Sequence, residues 1–335
     1  MANSILKNIL REYELNRNNA LSLASQKKQE IYDKEPRLKD IDFELASFAM
    51  AISREMLKSN DKSLLDTLEK KRQELNLEKE KIYQKLNISS DYFLPQFKCS
   101  ICKDTGFISS GNTSQMCSCL KQKLLDIEYN KSNMFDLKNQ CFDNFNSSLF
   151  SNTINKERYN ANVSPKENIE IIKKICLNFV NNFDNPETKN LLFTGNTGLG
   201  KTFLSNCIAN EVLKKGKTVM YQTAPLMLDY IIDEKMKKNR NSDSSLLENI
   251  LSTDLLIIDD LGTEGINNMK FSELFTILNS RLLNQNKKAT KTIISTNLGI
   301  KNLAQVYGER IVSRIIGNYN ICYFFGEDLR IKNNH

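Results

Sequence analysis

The segment 191-LLFTGNTGLGKTFLSNCIANEVL-213 decides the fold of this chain. A short apolar run leads into Gly195, and after four intervening residues Gly200, Lys201 and Thr202 follow at the start of a stretch with helical composition. This strand–loop–helix arrangement matches the phosphate-binding P-loop pattern. Backbone N–H groups of such a loop point inward at phosphate oxygens, and the helix that follows adds the positive end of its dipole. The segment therefore predicts a nucleotide-binding site rather than a chance glycine turn.

The residues predicted to hold the nucleotide are Gly195, Asn196, Thr197, Gly198, Leu199, Gly200, Lys201 and Thr202. The glycines let the backbone curl around the β-phosphate. Lys201 supplies a positive charge to the β and γ oxygens, and Thr202 offers a hydroxyl to Mg²⁺. The predicted cofactors of this site are therefore ATP and Mg²⁺.

A second segment, 254-DLLIIDDLG-262, predicts a buried strand that ends in two carboxylates. Asp259 would hold the hydration shell of Mg²⁺, because this cation prefers oxygen ligands. Asp260 would orient or deprotonate the attacking water, a base role that needs no histidine. Asn297 ends the next predicted strand, 291-KTIISTN-297, and would reach the same water. A strand-terminal Asn is alone as often a turn residue as a functional one.

The chain divides into three predicted regions. Residues 1–135 are predicted to be mainly helical, because the first 90 residues contain no glycine and carry leucines at helical spacing. This pattern predicts a helical hairpin or short coiled coil, with breaks between helices at Pro36 and 59–63. Residues 136–165 are polar and Asn/Ser-rich, which predicts a linker with a few anchoring aromatic side chains. In residues 166–335, short β-branched runs alternate with segments of helical length, which predicts an α/β domain with a parallel sheet covered by helices.

Four of the eight cysteines lie in 98-KCSICKDTGFISSGNTSQMCSC-119. The pairs Cys99–Cys102 and Cys117–Cys119 predict a structural Zn²⁺ site, or zinc knuckle, although the second pair is one residue tighter than the usual spacing. Redox exchange at the first pair is the alternative, but the βαβ pattern typical of that chemistry does not surround it. The scattered cysteines are interpreted as ordinary thiols: Cys141, Cys176, Cys207 and Cys322.

Composition narrows the class of protein. The formal net charge of +7 is compatible with a nucleic-acid partner but does not require one. The N-terminus lacks a signal-peptide pattern, and no stretch is apolar enough to span a bilayer, so we expect a cytoplasmic protein without a membrane partner. The single histidine is His335, which excludes chemistry that needs an internal imidazole.

Four motifs carry a resemblance to a known family: "GNTGLGKTFL", "LLIIDDLGTE", "STN" and "YGERIVSRIIG". Together they resemble bacterial replicative helicase loaders of the DnaC/DnaI type, within the AAA+ superfamily of P-loop ATPases. The resemblance is strong over residues 166–335, and "CSICKDTGF" and "CFDNFNSSLF" extend it into the front half. It implies that Asn297 is the sensor-1 residue. It also implies that Arg314 is the arginine finger reaching the ATP of a neighbouring subunit, with Arg310 as the rival.

Arg330 resembles the sensor-2 arginine of this superfamily, which would bind the nucleotide. The chain ends five residues later, so we expect the C-terminal helical lid to be missing, which leaves the role of Arg330 open.

The resemblance also implies a function and its partners. The chain would be a Mg-dependent ATPase, completed by self-association in the loader complex, that grips the hexameric replicative DNA helicase through residues 1–135 and delivers it to single-stranded DNA. The candidate DNA surface combines Tyr230 with the basic run Lys235, Lys237, Lys238 and Arg240, although such a run is as often solvated surface. The alternatives are an IstB-like transposition helper ATPase and a nucleotide-binding scaffold with little turnover.

Overall fold

The structure is a computed structural model, and it describes residues 2–58, 62–111, 113–130, 139–237, 245–265, 267–285 and 289–332. The chain divides into two compact units, Met1–Cys117 and Ser118–His335. This division lies earlier than the boundary expected at residue 135, and the described part of the expected linker falls within the second unit. The functions assigned to the three predicted regions stay predictions.

The first unit is mainly helical, as predicted. Its elements are α1 (Ala2–Lys34), α2 (Pro36–Lys58), α3 (Lys62–Lys85), a 3₁₀ helix (Ser90–Phe93) and the antiparallel strands β1 (Phe107–Ser110) and β2 (Thr113–Met116). The predicted break at Pro36 separates α1 from α2, because proline suits the first position of a helix and not its interior. The break predicted at 59–63 includes residues 59–61, which lie outside the described ones.

The second unit contains five parallel strands and the helices that connect them. Its elements are α4 (Ser118–Leu125), a π-helix (Asp126–Asn130), two 3₁₀ helices (Phe142–Asn144 and Ser147–Leu149), α5 (Lys156–Tyr159), α6 (Pro165–Asn181), β3 (Asn190–Gly195), α7 (Lys201–Lys214), β4 (Val219–Thr223), α8 (Ala224–Lys237), α9 (Ser245–Ser252), β5 (Leu255–Leu261), α10 (Asn268–Asn284), β6 (Lys291–Thr296), α11 (Ile300–Tyr307), α12 (Glu309–Asn318), β7 (Tyr319–Phe324) and α13 (Leu329–Lys332). α6 begins with a capping box, in which Ser164 and Glu167 satisfy each other's backbone N–H groups.

The parallel sheet has the strand order β4-β5-β6-β3-β7, and helices cover both of its faces. One face packs against α6 and α7, for example through Phe179 and Leu204, and the other packs against α8 and α10, through Leu228 and Leu274. The inner strands β3 and β6 are buried on both sides, as their continuous apolar sequences predict, whereas the edge strand β7 has exposed positions. Parallel strands present all their carboxyl ends at one edge, so Gly195, Asp259 and the residue after β6 lie at the same end of the sheet.

Side-chain amides complete the edge strand β4, and they explain the early unit boundary. Gln122 Nε2 donates to Val219 O at 2.9 Å, and Val219 N donates to Gln122 Oε1 at 2.7 Å. Asn130 Nδ2 donates to Val219 O at 3.0 Å, while Tyr221 N donates to Asn130 Oδ1 at 2.9 Å. These bonds replace those of a neighbouring strand. Residues 118–130 therefore belong to the sheet domain.

The expected linker is partly a core element. Phe142 and Phe150 are 8 % and 7 % exposed, and both belong to the apolar cluster beneath α6 and α7. These aromatic side chains are the anchors that the composition predicts. The described part of this segment, 139–165, is thus attached to the sheet domain through its aromatic rings.

Two buried basic side chains donate hydrogen bonds to backbone carbonyls at the amino ends of the strands, opposite the carboxyl edge. Arg281 is 1 % exposed and donates to the backbone carbonyls of Ile250, Thr253 and Lys291. Lys291 Nζ donates to the carbonyl oxygens of Asn185 at 3.0 Å and Thr188 at 2.5 Å. Burial lowers the pKa of Arg281 to about 10 and that of Lys291 to about 8. None of the described helices combines the length and apolar character needed to cross a membrane.

Candidate functional site

Backbone conformation explains the glycines of the loop between β3 and α7. Gly195, Gly198 and Gly200 have φ angles of +143°, +73° and +85°, in the range that disfavours side chains. A Cβ at Gly195 would lie 2.1 Å from the carbonyl oxygen of Phe324, and one at Gly198 would lie 1.8 Å from Asp328 Oδ1. At Gly195 the loop thus passes too close to the backbone of β7 for a larger residue, whereas at Gly198 and Gly200 the positive φ angle is the reason for glycine.

Lys201 lies at the centre of this loop and is 6 % exposed. Its Nζ donates to Gly195 O at 2.5 Å, to Asn196 O at 2.6 Å and to Asn297 Oδ1 at 2.8 Å. Burial lowers the pKa of Lys201 to about 8, against the opposing charges of Asp259 and Asp260. The predicted phosphate-binding lysine and the predicted sensor-1 residue are therefore in direct contact.

The two carboxylates at the end of β5 have different surroundings. Asp259 is 4 % exposed, and its Oδ2 accepts from Thr202 Oγ1 at 3.2 Å and from Tyr221 OH at 2.5 Å. Its Oδ1 accepts from Asp260 N at 3.0 Å. Thr202 and Asp259, the predicted magnesium-binding pair, thus present oxygen atoms side by side, which suits a hard cation.

Asp260 is exposed and has a φ angle of +54°, a left-handed conformation that is uncommon for a residue other than glycine. It lies where the pairing of β5 with β6 shifts register between Ile258 and Leu261. Partial desolvation of its carboxyl group by the surrounding protein raises the pKa of Asp260, and the charge of Asp259 raises it further. A raised pKa makes this carboxylate a better proton acceptor than an ordinary surface aspartate.

A cavity of about 310 Å³, close to the lower end of ligand-pocket volumes, lies beside Lys201, Thr202 and Asp260, and its described lining does not include Asp259. The residues that line it are Gln140, Thr197, Gly198, Leu199, Gly200, Lys201, Thr202, Phe203, Asp260, Asn297, Leu329 and Arg330. It unites the predicted P-loop, base, sensor-1 and sensor-2 residues.

Three lining residues were not predicted: Gln140, Phe203 and Leu329. Phe203 directly follows the loop motif and could have been found by its position, whereas Gln140 carries no local signal.

Arg314 lies elsewhere on the domain. Among the described residues, those that line the nucleotide cavity do not include Arg314 or Arg310, and both line a separate cavity with Phe275 and Glu309. Arg314 Nε donates to Asn279 Oδ1 at 3.0 Å, and the guanidinium carbon lies 4.7 Å from the centre of the Phe275 ring. The role of Arg314 as a finger for a neighbouring subunit stays a prediction.

The candidate DNA surface is described only in part. Tyr230 is 57 % exposed on α8, and Lys235 Nζ pairs with Glu273 Oε1 at 2.6 Å. Lys238, Arg240 and the side chain of Lys237 lie outside the described residues. The charge of Lys235 is thus partly neutralised within the protein, and DNA contact at this run stays a prediction.

The cysteine cluster is a local arrangement within residues 99–119. The Sγ atoms of Cys99, Cys102, Cys117 and Cys119 all lie within 4.8 Å of one another. The Sγ atoms of Cys99 and Cys117 are 3.9 Å apart, close to the roughly 3.8 Å between thiolates bound tetrahedrally at about 2.3 Å from Zn²⁺. The four thiols are therefore compatible with Zn²⁺.

Backbone and side-chain contacts shape the turn that carries the first cysteine pair. The Asp104 carboxylate is 3 % exposed and accepts from Lys98 N at 2.9 Å and Cys99 N at 2.8 Å. Gly106 N donates to Cys102 Sγ at 3.3 Å, a contact that favours a thiolate at this position. Cys176, Cys207 and Cys322 are buried in the apolar core of the second unit.

The model of the family described as IstB-like ATP binding protein matches residues 121–334. The chain belongs to this family. The sequence is also similar to the replicative helicase loader DnaC of Escherichia coli (strain K12), with 28 % identity over 141 residues, 42 % of this chain and 55 % of that protein. It is 36 % identical over 95 residues to the chromosomal replication initiator protein DnaA of Helicobacter hepaticus (strain ATCC 51449 / 3B1), 27 % of this chain and 20 % of that protein.

The structure is also similar to the crystal structure of the DnaC helicase loader, with 26 % sequence identity and a TM-score of 0.41. The similar region covers 47 % of this chain and 90 % of that chain. The chain spans about half the length of the curated DnaC relatives that it matches. The predicted resemblance to DnaC-type loaders is confirmed, as is the P-loop ATPase fold of the AAA+ type with a helical front region.

Proposed function

We propose that this chain is an ATP-dependent loader that binds the replicative DNA helicase in the cytoplasm and delivers it to single-stranded DNA when replication starts. The observation that carries the proposal is the cavity in which Lys201, Asp260 and Asn297 meet, in a domain whose sequence is similar to a helicase loader. The helical front unit and the cysteine cluster of residues 99–119 are the proposed surface for the helicase.

ATP binds at the loop between β3 and α7, where the N–H groups and Lys201 surround the phosphates. Lys201 Nζ donates to the carbonyl oxygens of Gly195 and Asn196 in this structure, and it exchanges them for the more strongly accepting phosphate oxygens. Thr202 and Asp259 would hold Mg²⁺, which would neutralise phosphate charge when bound. Arg330 lines the same cavity and adds a second cation for the phosphates.

Hydrolysis is assigned to the exposed carboxylate. Asp260 accepts a proton from the attacking water, and Asn297 orients that water from the end of the neighbouring strand. Arg314 comes from a second copy of the chain and stabilises the charge of the transition state. Its location away from the nucleotide cavity of its own chain supports this assignment to a neighbouring copy.

The cysteine cluster has a structural role in this proposal. Bound Zn²⁺ would link four thiolates of a segment with little apolar core. Asp104 then holds the backbone N–H of Cys99, and this fixes the turn that carries the first pair. The zinc-linked segment and the three helices together form the surface offered to the helicase.

The test is complex formation between the full chain and the replicative helicase of the same cell, measured by size exclusion with light scattering, with ATP, with ADP and without nucleotide. We expect a complex whose stability depends on ATP, and no ATP dependence for Lys201→Ala, because this variant should not bind the nucleotide. A chain that binds a transposase and ignores the helicase would support the transposition helper instead. A helicase complex without any ATP turnover would indicate a nucleotide-dependent scaffold.

A further inference from the structure

We propose that Tyr221 is a positioning residue that orients the Asp259 carboxylate for its metal and so sets the Mg²⁺ dependence of nucleotide binding. The inference rests on the proposed function, because it takes Asp259 as the magnesium-binding carboxylate. Tyr221 does not line the cavity among the described residues, and its hydroxyl contacts Asp259 and Thr202, through which it would act.

The contact comes from the neighbouring strand. β4 pairs with β5 in parallel, with Tyr221 opposite Ile257 and Thr223 opposite Asp259. Tyr221 is 1 % exposed, and its OH donates to Asp259 Oδ2 at 2.5 Å. A phenol held this rigidly in a core leaves the carboxylate little freedom to rotate, because the donor cannot follow it.

The hydrogen bonds of Asp259 show what the phenol contributes. Oδ1 accepts from Asp260 N at 3.0 Å, and Oδ2 accepts from Tyr221 OH and, at 3.2 Å, from Thr202 Oγ1. Thr202 is itself a proposed metal-binding residue, so its hydroxyl is required elsewhere when Mg²⁺ is bound. Tyr221 OH then continues to hold Oδ2, and its loss lets that oxygen turn away from the cation.

Strand β4 holds Tyr221 in place from the other side. Asn130 Oδ1 accepts from Tyr221 N at 2.9 Å, and Asn130 Nδ2 and Gln122 Nε2 both donate to Val219 O. The π-helix that carries Asn130 therefore fixes the backbone from which the phenol extends. Asn130 thus binds the backbone N–H of Tyr221, and the phenol of the same residue binds Asp259.

The experiment measures the affinity of the full chain for a fluorescent ATP analogue as Mg²⁺ is varied, and again in excess EDTA. Tyr221→Phe keeps the ring and removes the hydroxyl. We expect an unchanged affinity in EDTA, within about twofold, and a Mg²⁺ concentration for half-maximal enhancement that rises about tenfold, the effect of one hydrogen bond to a charged group. Neither quantity depends on turnover.

Tyr307→Phe is the matched control, because Tyr307 OH is also buried and also donates to a carboxylate, that of Glu264. It should leave both quantities unchanged. If Mg²⁺ enhances nucleotide binding by the unsubstituted chain and Tyr221→Phe needs the same Mg²⁺ concentration, this inference is overturned and the proposed function is not. Equal losses of affinity in EDTA and in Mg²⁺ would overturn it too, since they indicate a general structural role. If the unsubstituted chain binds no nucleotide, the proposed function fails first.

Discussion

The nucleotide site and the cysteine cluster are built in opposite ways. Lys201 and Asn297 are 96 residues apart in the chain and meet because two strands of one sheet end together. The cysteine cluster gathers its four thiols from residues 99–119, and its supporting Asp104 bonds to Cys99, five residues away. The first site is a product of a large core, whereas the second is a local structure.

The difference predicts what each site needs in order to exist. The sheet of the second unit has apolar clusters on both faces, so its carboxyl edge is in place before any ligand binds. Around the cysteines, the hairpin of β1 and β2 has strands of four residues, and Ile101 is 58 % exposed. An isolated hairpin of this size is marginal in water. We therefore expect the cysteine cluster to depend on its metal and the nucleotide site to depend on its core.

The largest expected effect is the loss of zinc. Cys102→Ser removes one of four thiolates, and structural zinc contributes folding free energy on the order of 10 kcal/mol in zinc-finger peptides. We expect about one zinc per chain in the unsubstituted protein, loss of the metal and of the β1–β2 hairpin in the variant, weakened helicase binding, and intact ATP binding. Elemental analysis, hydrogen exchange and ATP titration measure these quantities on one preparation.

Cys141→Ser is the control for this prediction, because Cys141 does not belong to the four-cysteine cluster. It should keep the zinc. A metal-free native protein that still binds the helicase would contradict the zinc site.

The next effect concerns the arginine finger. Arg314→Ala should leave the ATP affinity of a single chain unchanged and lower hydrolysis in the assembled complex by about 10³-fold or more, the range known for such arginines. Mixing this variant with Lys201→Ala should restore part of the activity, since each lacks a different half of the shared site. Arg310→Ala tests the rival arginine and should lose less. Failure to rescue at every mixing ratio argues against a finger from a second copy.

A smaller effect is expected within the core of the second unit. Arg281→Met leaves buried carbonyl groups of Ile250, Thr253 and Lys291 without their donor, which should lower the free energy of unfolding by about 2–4 kcal/mol. Urea unfolding measures the change, and the exposed Lys174→Met is the control. Zinc content should not change. A loss below about 1 kcal/mol would mean that the carbonyls find other donors.

The smallest effect is a pH dependence. Burial lowers the pKa of Lys291 to about 8 from an ordinary value of 10.5, so between these pH values the unfolded chain binds a proton that the folded chain does not. Stability therefore rises with pH across this window, by about 2 kcal/mol from this residue. Lys291→Met should lack this increment, whereas Lys174→Met should retain it. Urea unfolding at about pH 7.5 and about pH 10 compares them, and parallel slopes for all three proteins would contradict the lowered pKa.

The contiguous motifs could be predicted from the sequence because the chemistry they encode is local. The loop Gly195 to Thr202 depends only on one turn between a strand and a helix, and the two aspartates after "LLII" depend only on the end of one strand. The alternation of apolar runs with helical segments predicted the parallel sheet. The cysteine pairs predicted the cluster, since their spacing nearly determines which thiols can meet.

Contacts between distant residues could not be predicted in this way. Tyr221 reads as one more aromatic residue in a buried strand, and only the pairing of β4 with β5 brings its OH to Asp259. Gln122 lies 97 residues before the strand that it completes, in a segment whose composition favours an ordinary surface helix. The boundary expected at residue 135 missed this contact, which attaches residues 118–130 to the sheet. Side-chain amides that replace a strand leave no periodic pattern in the sequence.

The central claim is that one cavity binds ATP through Lys201 and hydrolyses it through Asp260. The most direct test compares ATP affinity and turnover in the unsubstituted chain, Asp260→Asn and Lys201→Ala, each assembled with the helicase. We expect Asp260→Asn to bind ATP with unchanged affinity and to lose nearly all turnover, because the amide cannot accept the proton of the attacking water. Lys201→Ala should lose binding itself. An Asp260→Asn protein that turns over ATP at the normal rate would contradict this claim, because the base would then lie elsewhere.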